Sequence, residues 1–109
     1  MQFDIGAMAL ASMESLQELR MANNQIGGEI SSEQLEKLSS LRLIDLSCNQ
    51  MHGKLPRLTG LALEHVNFSC NAFSGEIPPE FQELRGLNFL SLGENRCRDV
   101  VSSYIVIPD

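Results

Sequence analysis

Apolar and polar positions follow a repeated order along the chain. In LRLIDLSCNQMHGKLP, starting at Leu41, three apolar residues (Leu41, Ile44 and Leu46) are spaced for one face of a short strand. The chain then meets Asn49, loosens at Gly53 and stops at Pro56. The same order returns as LQELRMANNQIGGEI from Leu16, LEHVNFSCNAFSGEIP from Leu63 and LNFLSLGENRCRDVV from Leu87. The asparagines fall at Asn24, Asn49, Asn71 and Asn95, spaced 25, 22 and 24 residues apart. Four copies with one internal grammar define repeats starting at 16, 41, 63 and 87. A half repeat occupies 1–15, because Ile5, Leu10, Met13 and Leu16 align with Ile30, Leu35, Leu38 and Leu41.

Each part of the grammar has a physical cause. Leu41, Ile44 and Leu46, like Leu63, Val66 and Phe68, are expected to face a core. The Asn amide both donates and accepts, so stacked copies would form a ladder that satisfies backbone groups of neighbouring coils. Ile26, Met51 and Phe73 return to the core after the turn, and Cys97 holds the equivalent place. Gly28, Gly53 and Gly75 allow a tight backbone path, and Pro56 and Pro78 end strand pairing. Phe81, Leu84 and Leu87 lie three apart, as in a helical or 3₁₀ return arm. One coil cannot bury its own apolar face, whereas stacked coils can.

The pattern L-x-x-L-x-L-x-x-N-x-L-x-G-x-I-P resembles the plant-type leucine-rich repeat, over residues 5 to about 97. The resemblance implies an α/β solenoid, a short curved right-handed coil with a parallel sheet on its concave face. Three departures stand out. Ser31 replaces a Pro, the second spacing is short at LPRLTGLALEH, and Asp99 and Ser102 stand where Gly and Pro are expected. The tail, 98–109, is read either as a capping strand or as sequence outside the repeat.

The resemblance further implies binding, with specificity in the outward residues of the strands. These form columns: Gln17, Arg42, Glu64 and Asn88; then Glu18, Leu43, His65 and Phe89; then Arg20, Asp45, Asn67 and Ser91. The expected partner-binding residues are Arg20, Arg42, Asp45, His65 and Phe89, set against the simpler reading of solvated strand residues. Proteins with this repeat include ectodomains of plant receptor-like kinases and receptor-like proteins. That implies a protein or peptide ligand, a co-receptor among the partners, and a plasma-membrane or extracellular parent. Asn67-Phe68-Ser69 is a candidate glycosylation sequon that fits such a parent.

Composition narrows the alternatives. The 109 residues carry a formal net charge of −6, and 43% are hydrophobic, which fits a folded domain without a basic face for nucleic acid. No apolar run reaches membrane-spanning length, so direct insertion of this chain is not expected. The N-terminus has no basic n-region and carries Asp4, and is not read as a signal peptide. A cytoplasmic repeat adaptor, or a gene fragment without independent function, therefore stays open. No Gly-rich loop, Val-Ala-Ile-Lys strand or His-Arg-Asp appears, so no kinase activity is expected here. Asp45, His65 and Cys48 or Cys70 make only a loose nucleophilic set, and catalysis, cofactors and metal are not expected. Cys48 and Cys70 hold equivalent places in adjacent coils and should be neighbours, though a disulfide needs a particular Cβ geometry.

Overall fold

The computed structural model describes residues 3–4 and 13–98. Most of the half repeat and of the tail lies outside the described residues, as does the Cys97 side chain. The chain winds through β1 (Phe3–Asp4), β2 (Glu18–Arg20), β3 (Ile26–Gly28), α1 (Ser32–Glu36), β4 (Leu43–Asp45) and β5 (Gln50–Lys54). It continues through β6 (His65–Asn67), β7 (Ala72–Glu76), a 3₁₀ helix (Pro79–Glu83), β8 (Phe89–Ser91) and β9 (Arg96–Arg98). The strands form two all-parallel sheets, ordered β2-β4-β6-β8 and β1-β3-β5-β7-β9. The fold is a leucine-rich repeat solenoid, with the four-stranded sheet on its concave face.

The two sheets pair differently. In the four-stranded sheet, residues at the same repeat position are partners: Leu19 meets Ile44, Ile44 meets Val66, and Val66 meets Leu90. All four are buried, so each three-residue strand turns its centre inward and its flanks outward. The five-stranded sheet is slipped by two residues per coil, so Gly28 meets Met51, Gly53 meets Phe73 and Gly75 meets Cys97. All three glycines sit in the left-handed region, with φ of +85 to +87°. The sequence pattern marked these glycines as bends, but not that a second sheet runs through them.

Between the sheets lies a continuous core that includes Leu35, Leu38, Leu41, Ile44, Met51, Val66, Phe68 and Phe73. The asparagines stitch its seam. Asn49 Nδ2 donates to Met21 O in the preceding coil and to Leu46 O and Ser47 O in its own, while its Oδ1 accepts from Ile26 N. Asn71 and Asn95 repeat this arrangement one and two coils further on. Among the described residues, Asn24 bonds only Met21 O and Ala22 O of its own coil. The residue before each of these asparagines is left-handed: Asn23, Cys48, Cys70 and Glu94 have φ of +59, +54, +60 and +55°. This bend turns the next side chain into the seam, and no glycine flags it in the sequence.

The return arms differ for local reasons. Ser31, where another coil has Pro, caps α1: its Oγ accepts from Gln34 N, and its own N–H donates to Gln34 Oε1. Pro78 and Pro79 instead lead into the 3₁₀ helix that buries Phe81. The shortened coil between them has no helix. Its Arg57 and Thr59 N–H groups donate to Ser32 Oγ and Glu36 Oε2 of the preceding arm. Leu55, Leu58 and Leu61 still reach the core.

Candidate functional site

The concave strands present the outward columns as straight rows, because their register keeps equivalent positions together. Glu18, Leu43, His65 and Phe89 form one row, and Arg20, Asp45, Asn67 and Ser91 the next. Gln17, Arg42, Glu64 and Asn88 are joined through backbone hydrogen bonds from each N–H to the preceding coil's carbonyl, at 2.7–2.8 Å. A strand places alternate residues on opposite faces, so the buried centre of each triplet forces its flanks toward solvent.

Two contacts organise this face. Arg42 Nε and Nη2 both donate to Glu64 Oε2, at 3.0 and 2.7 Å. The rings of His65 and Phe89 stack with centroids 4.4 Å apart and planes 11° from parallel. Phe89 is 39% exposed, one of only two large exposed hydrophobic residues among those described. Gln17, Glu18, Arg42, Leu43, Glu64 and His65 line a shallow depression of about 150 Å³, with Phe89 outside it on the far side of His65 in the same row. The structure thus gathers Arg42, His65 and Phe89 around one surface.

Asp45 and Arg20 behave differently. Asp45 Oδ1 accepts from Ser47 N and Ser47 Oγ, at 3.1 and 2.7 Å. Asn67 does the same for Ser69 one coil later, at 3.0 and 2.7 Å. Both side chains brace the turn that leaves their strand. The signal for this was present as the recurring Asp-x-Ser and Asn-x-Ser. A glycan on Asn67 would stand on the same face as His65, two residues along one strand. Arg20 pairs with Glu18 on its own strand, at 2.9 Å, with both side chains largely exposed. His52 lies in β5, away from this face, with Nδ1 3.7 Å from Glu29 Oε1.

Asp45 and His65 sit on neighbouring strands two positions out of register, and Asp45 Oδ1 accepts from Ser47. Among the described residues, no group of three or more His, Cys, Asp or Glu side chains could hold a metal ion. No described helix is long and apolar enough to cross a membrane.

Known proteins share this architecture. The Leucine Rich Repeat family model matches residues 15–38 and 62–84. Receptor-like protein kinase HAIKU2 of Arabidopsis thaliana is 35% identical over 95 residues, covering 85% of this chain and 10% of the relative. Receptor-like protein EIX1 of Solanum lycopersicum is 42% identical over 74 residues, covering 65% of this chain and 7% of the relative. The chain thus spans a tenth or less of the length of these curated relatives. The ectodomain of the Arabidopsis receptor kinase GASSHO1/SCHENGEN3, solved in complex with CASPARIAN STRIP INTEGRITY FACTOR 2, superposes with a TM-score of 0.81 at 26% identity. That match covers 88% of this chain and 12% of the other. Arabidopsis HAESA, solved with the peptide hormone IDA and the co-receptor SERK1, gives 0.70 at 37% identity over 80% of this chain and 15% of its own. The in-phase concave sheet, the asparagine seam and these relatives together place the chain among the plant-type leucine-rich repeat proteins, whose matching members are receptor-like kinases and receptor-like proteins.

Proposed function

We propose that this stretch of solenoid recognises an extended peptide or protein segment across its concave strands. The observation that carries the reading is that His65, stacked on the exposed Phe89, and the Arg42–Glu64 pair line one depression of the concave face. An aromatic stack offers an apolar platform of low conformational entropy. The flanking charges fix the orientation of a peptide backbone or side chain laid beside it. Because Asp45 is engaged by Ser47, it acts in this reading as a support, and Arg42, His65 and Phe89 carry the contact energy.

The relatives support a reading of the compartment and the larger assembly. In this reading the stretch belongs to a receptor-like parent that displays it outside the cell, where a peptide and a co-receptor would meet it. The role is binding, and any kinase activity would reside elsewhere in such a parent. The test is selection of random linear peptides against the full chain, followed by titration of the enriched peptides. Phe89→Ala and Arg42→Ala are each expected to weaken binding about tenfold or more, the effect of losing an anchor worth roughly 1.4 kcal/mol or more. Lys54→Ala, on the five-stranded sheet, should leave it unchanged. Enriched peptides indifferent to both concave variants would place recognition elsewhere.

A further inference from the structure

Cys48 and Cys70 occupy the same place in adjacent coils, each immediately before a seam asparagine. Both are left-handed, with φ of +54 and +60°, so their backbones project the two side chains in nearly the same direction. The coils are clamped on either side of the pair: Cys48 N donates to Ser69 O at 2.9 Å, and Asn49 N donates to Cys70 O at 3.2 Å. Hydrogen-bonded parallel neighbours lie roughly 4.8 Å apart. That falls within the roughly 4.4–6.8 Å between Cα atoms that a disulfide spans. The flanking members of the same column are Asn23 and Glu94, so neither thiol has another cysteine next to it there. Both thiols are present as free, half-buried groups. The Cys70 side chain, as a hydrogen-bond neighbour, is the main influence holding the Cys48 thiol above its ordinary value, and the charges of Glu94 and Asp45 push the same way.

We propose that Cys48 and Cys70 are a redox-closable clasp, joined by a disulfide when the protein meets a low-molecular-weight disulfide. One thiol loses its proton, and its thiolate attacks the small disulfide, forming a mixed disulfide and releasing one small thiolate. The second cysteine, deprotonated in turn, attacks the protein sulfur of that mixed disulfide and expels the other small thiolate. The protein gives up two protons and two electrons, and the small disulfide becomes two thiols. The hydrogen bonds on either side of the pair already hold the two coils at a spacing a disulfide can span. It fixes the spacing of the coils that carry Arg42 and His65. Closure accelerates as pH rises, because each attacking thiol must first lose its proton.

The experiment treats the full native chain with oxidised glutathione, alkylates the remaining thiols, and maps the cysteine peptides without reduction. The expected product is a Cys48–Cys70 linked peptide with Cys97 left to the alkylating agent. Its thermal midpoint should lie above that of the reduced protein and return on adding dithiothreitol. The same treatment in urea should scatter the linkages over the three possible pairs. Cys70→Ser should instead retain glutathione on Cys48 as a stable adduct. In the native chain, persistent adducts on both cysteines, linkage of either to Cys97, or the same scatter as in urea would overturn the proposal. A Cys97→Ser chain gives the same reading with the third thiol removed, and failure of Cys48 and Cys70 to link there would overturn it equally. Neither result depends on whether the concave face binds a peptide.

Discussion

The two sheets of this solenoid are built from the same coils, yet they are held by different means. The concave sheet pairs like positions with like, and its outward residues differ from coil to coil within each row, as in Gln17, Arg42, Glu64 and Asn88. The five-stranded sheet pairs positions two residues out of phase and repeats one residue type, glycine at 28, 53 and 75, at nearly one φ. Where the backbone runs straight, it asks only for an apolar centre such as Ile44 or Val66, and the flanks are free to vary. Where the second sheet bends, glycine recurs, whereas the bend before each seam asparagine is made by Asn23, Cys48, Cys70 and Glu94. Variation useful for recognition therefore collects on the concave face, and the fold's fixed requirements collect on the seam and the opposite sheet.

The sharpest way to break this division is to truncate one aromatic ring on each side of it. Phe73 is fully buried in β7 and packs edge-to-face on Phe68, with centroids 5.5 Å apart, joining the second sheet to the exit of a concave strand. Phe73→Ala is expected to cost about 3–5 kcal/mol, the usual range for emptying a buried aromatic site. Phe89→Ala removes a ring of the same size from the exposed stack and should change stability by less than about 0.5 kcal/mol. Urea denaturation midpoints measure both. Equal shifts would mean that the concave surface is as structurally committed as the core.

The seam provides a finer comparison. Asn49 is buried and bonds groups in two coils, whereas Asn24 is exposed and bonds only within its own coil among the described residues. Asn49→Ala strands backbone groups such as Ile26 N away from water and should cost about 1–3 kcal/mol. Asn24→Ala leaves Met21 O and Ala22 O near solvent and should cost about 0.5 kcal/mol. If the two midpoints fall together, the ladder's stabilising effect is local to each turn and does not come from stitching the coils.

How far these features could be read in advance depends on whether one residue type marks them. The solenoid, its inward positions and the recurring asparagines were legible, because Leu, Asn and Gly recur at fixed offsets and each has one physical use there. The outward rows were legible as rows, since a strand's alternation places them. Their contacts were not: nothing in Arg42, Glu64, His65 or Phe89 states that the first two pair and the last two stack, because that depends on rotamers chosen across strands. The left-handed bend at Cys48 and Cys70 was hidden, since the residues there are not glycine. The second sheet was hidden for a related reason. Its strands run through Gly53 and Gly75, which weaken a strand pattern, and its partners are out of phase, so aligning the repeats does not reveal the pairing. In the Ser31 coil, Leu35, Leu38 and Leu41 keep the three-residue spacing of a return arm, whereas the cap that starts its helix rests on a pairing of Ser31 with Gln34 that the repeat pattern does not mark.

The smallest expected effect tests whether bending, or only crowding, fixes the glycines of the second sheet. Gly53 and Gly75 have nearly the same φ, +87 and +85°, but different surroundings. A Cβ on Gly53 would lie 2.8 Å from Cγ of Glu29, whereas one on Gly75 would meet only Lys54 Cγ, at an ordinary 3.6 Å. Glu29 is exposed, so its side chain can swing aside, giving up its approach to His52. The left-handed backbone has no such escape, and an alanine there is strained by about 1–2 kcal/mol. Gly53→Ala and Gly75→Ala should therefore destabilise by about the same amount, with Gly53 worse by a few tenths of a kcal/mol at most. If Gly75→Ala proves neutral while Gly53→Ala is costly, contact with Glu29 is the constraint, and the bend tolerates ordinary side chains. If both cost alike, the repeated glycine is a requirement of the coil's path, independent of what the neighbouring coil places beside it.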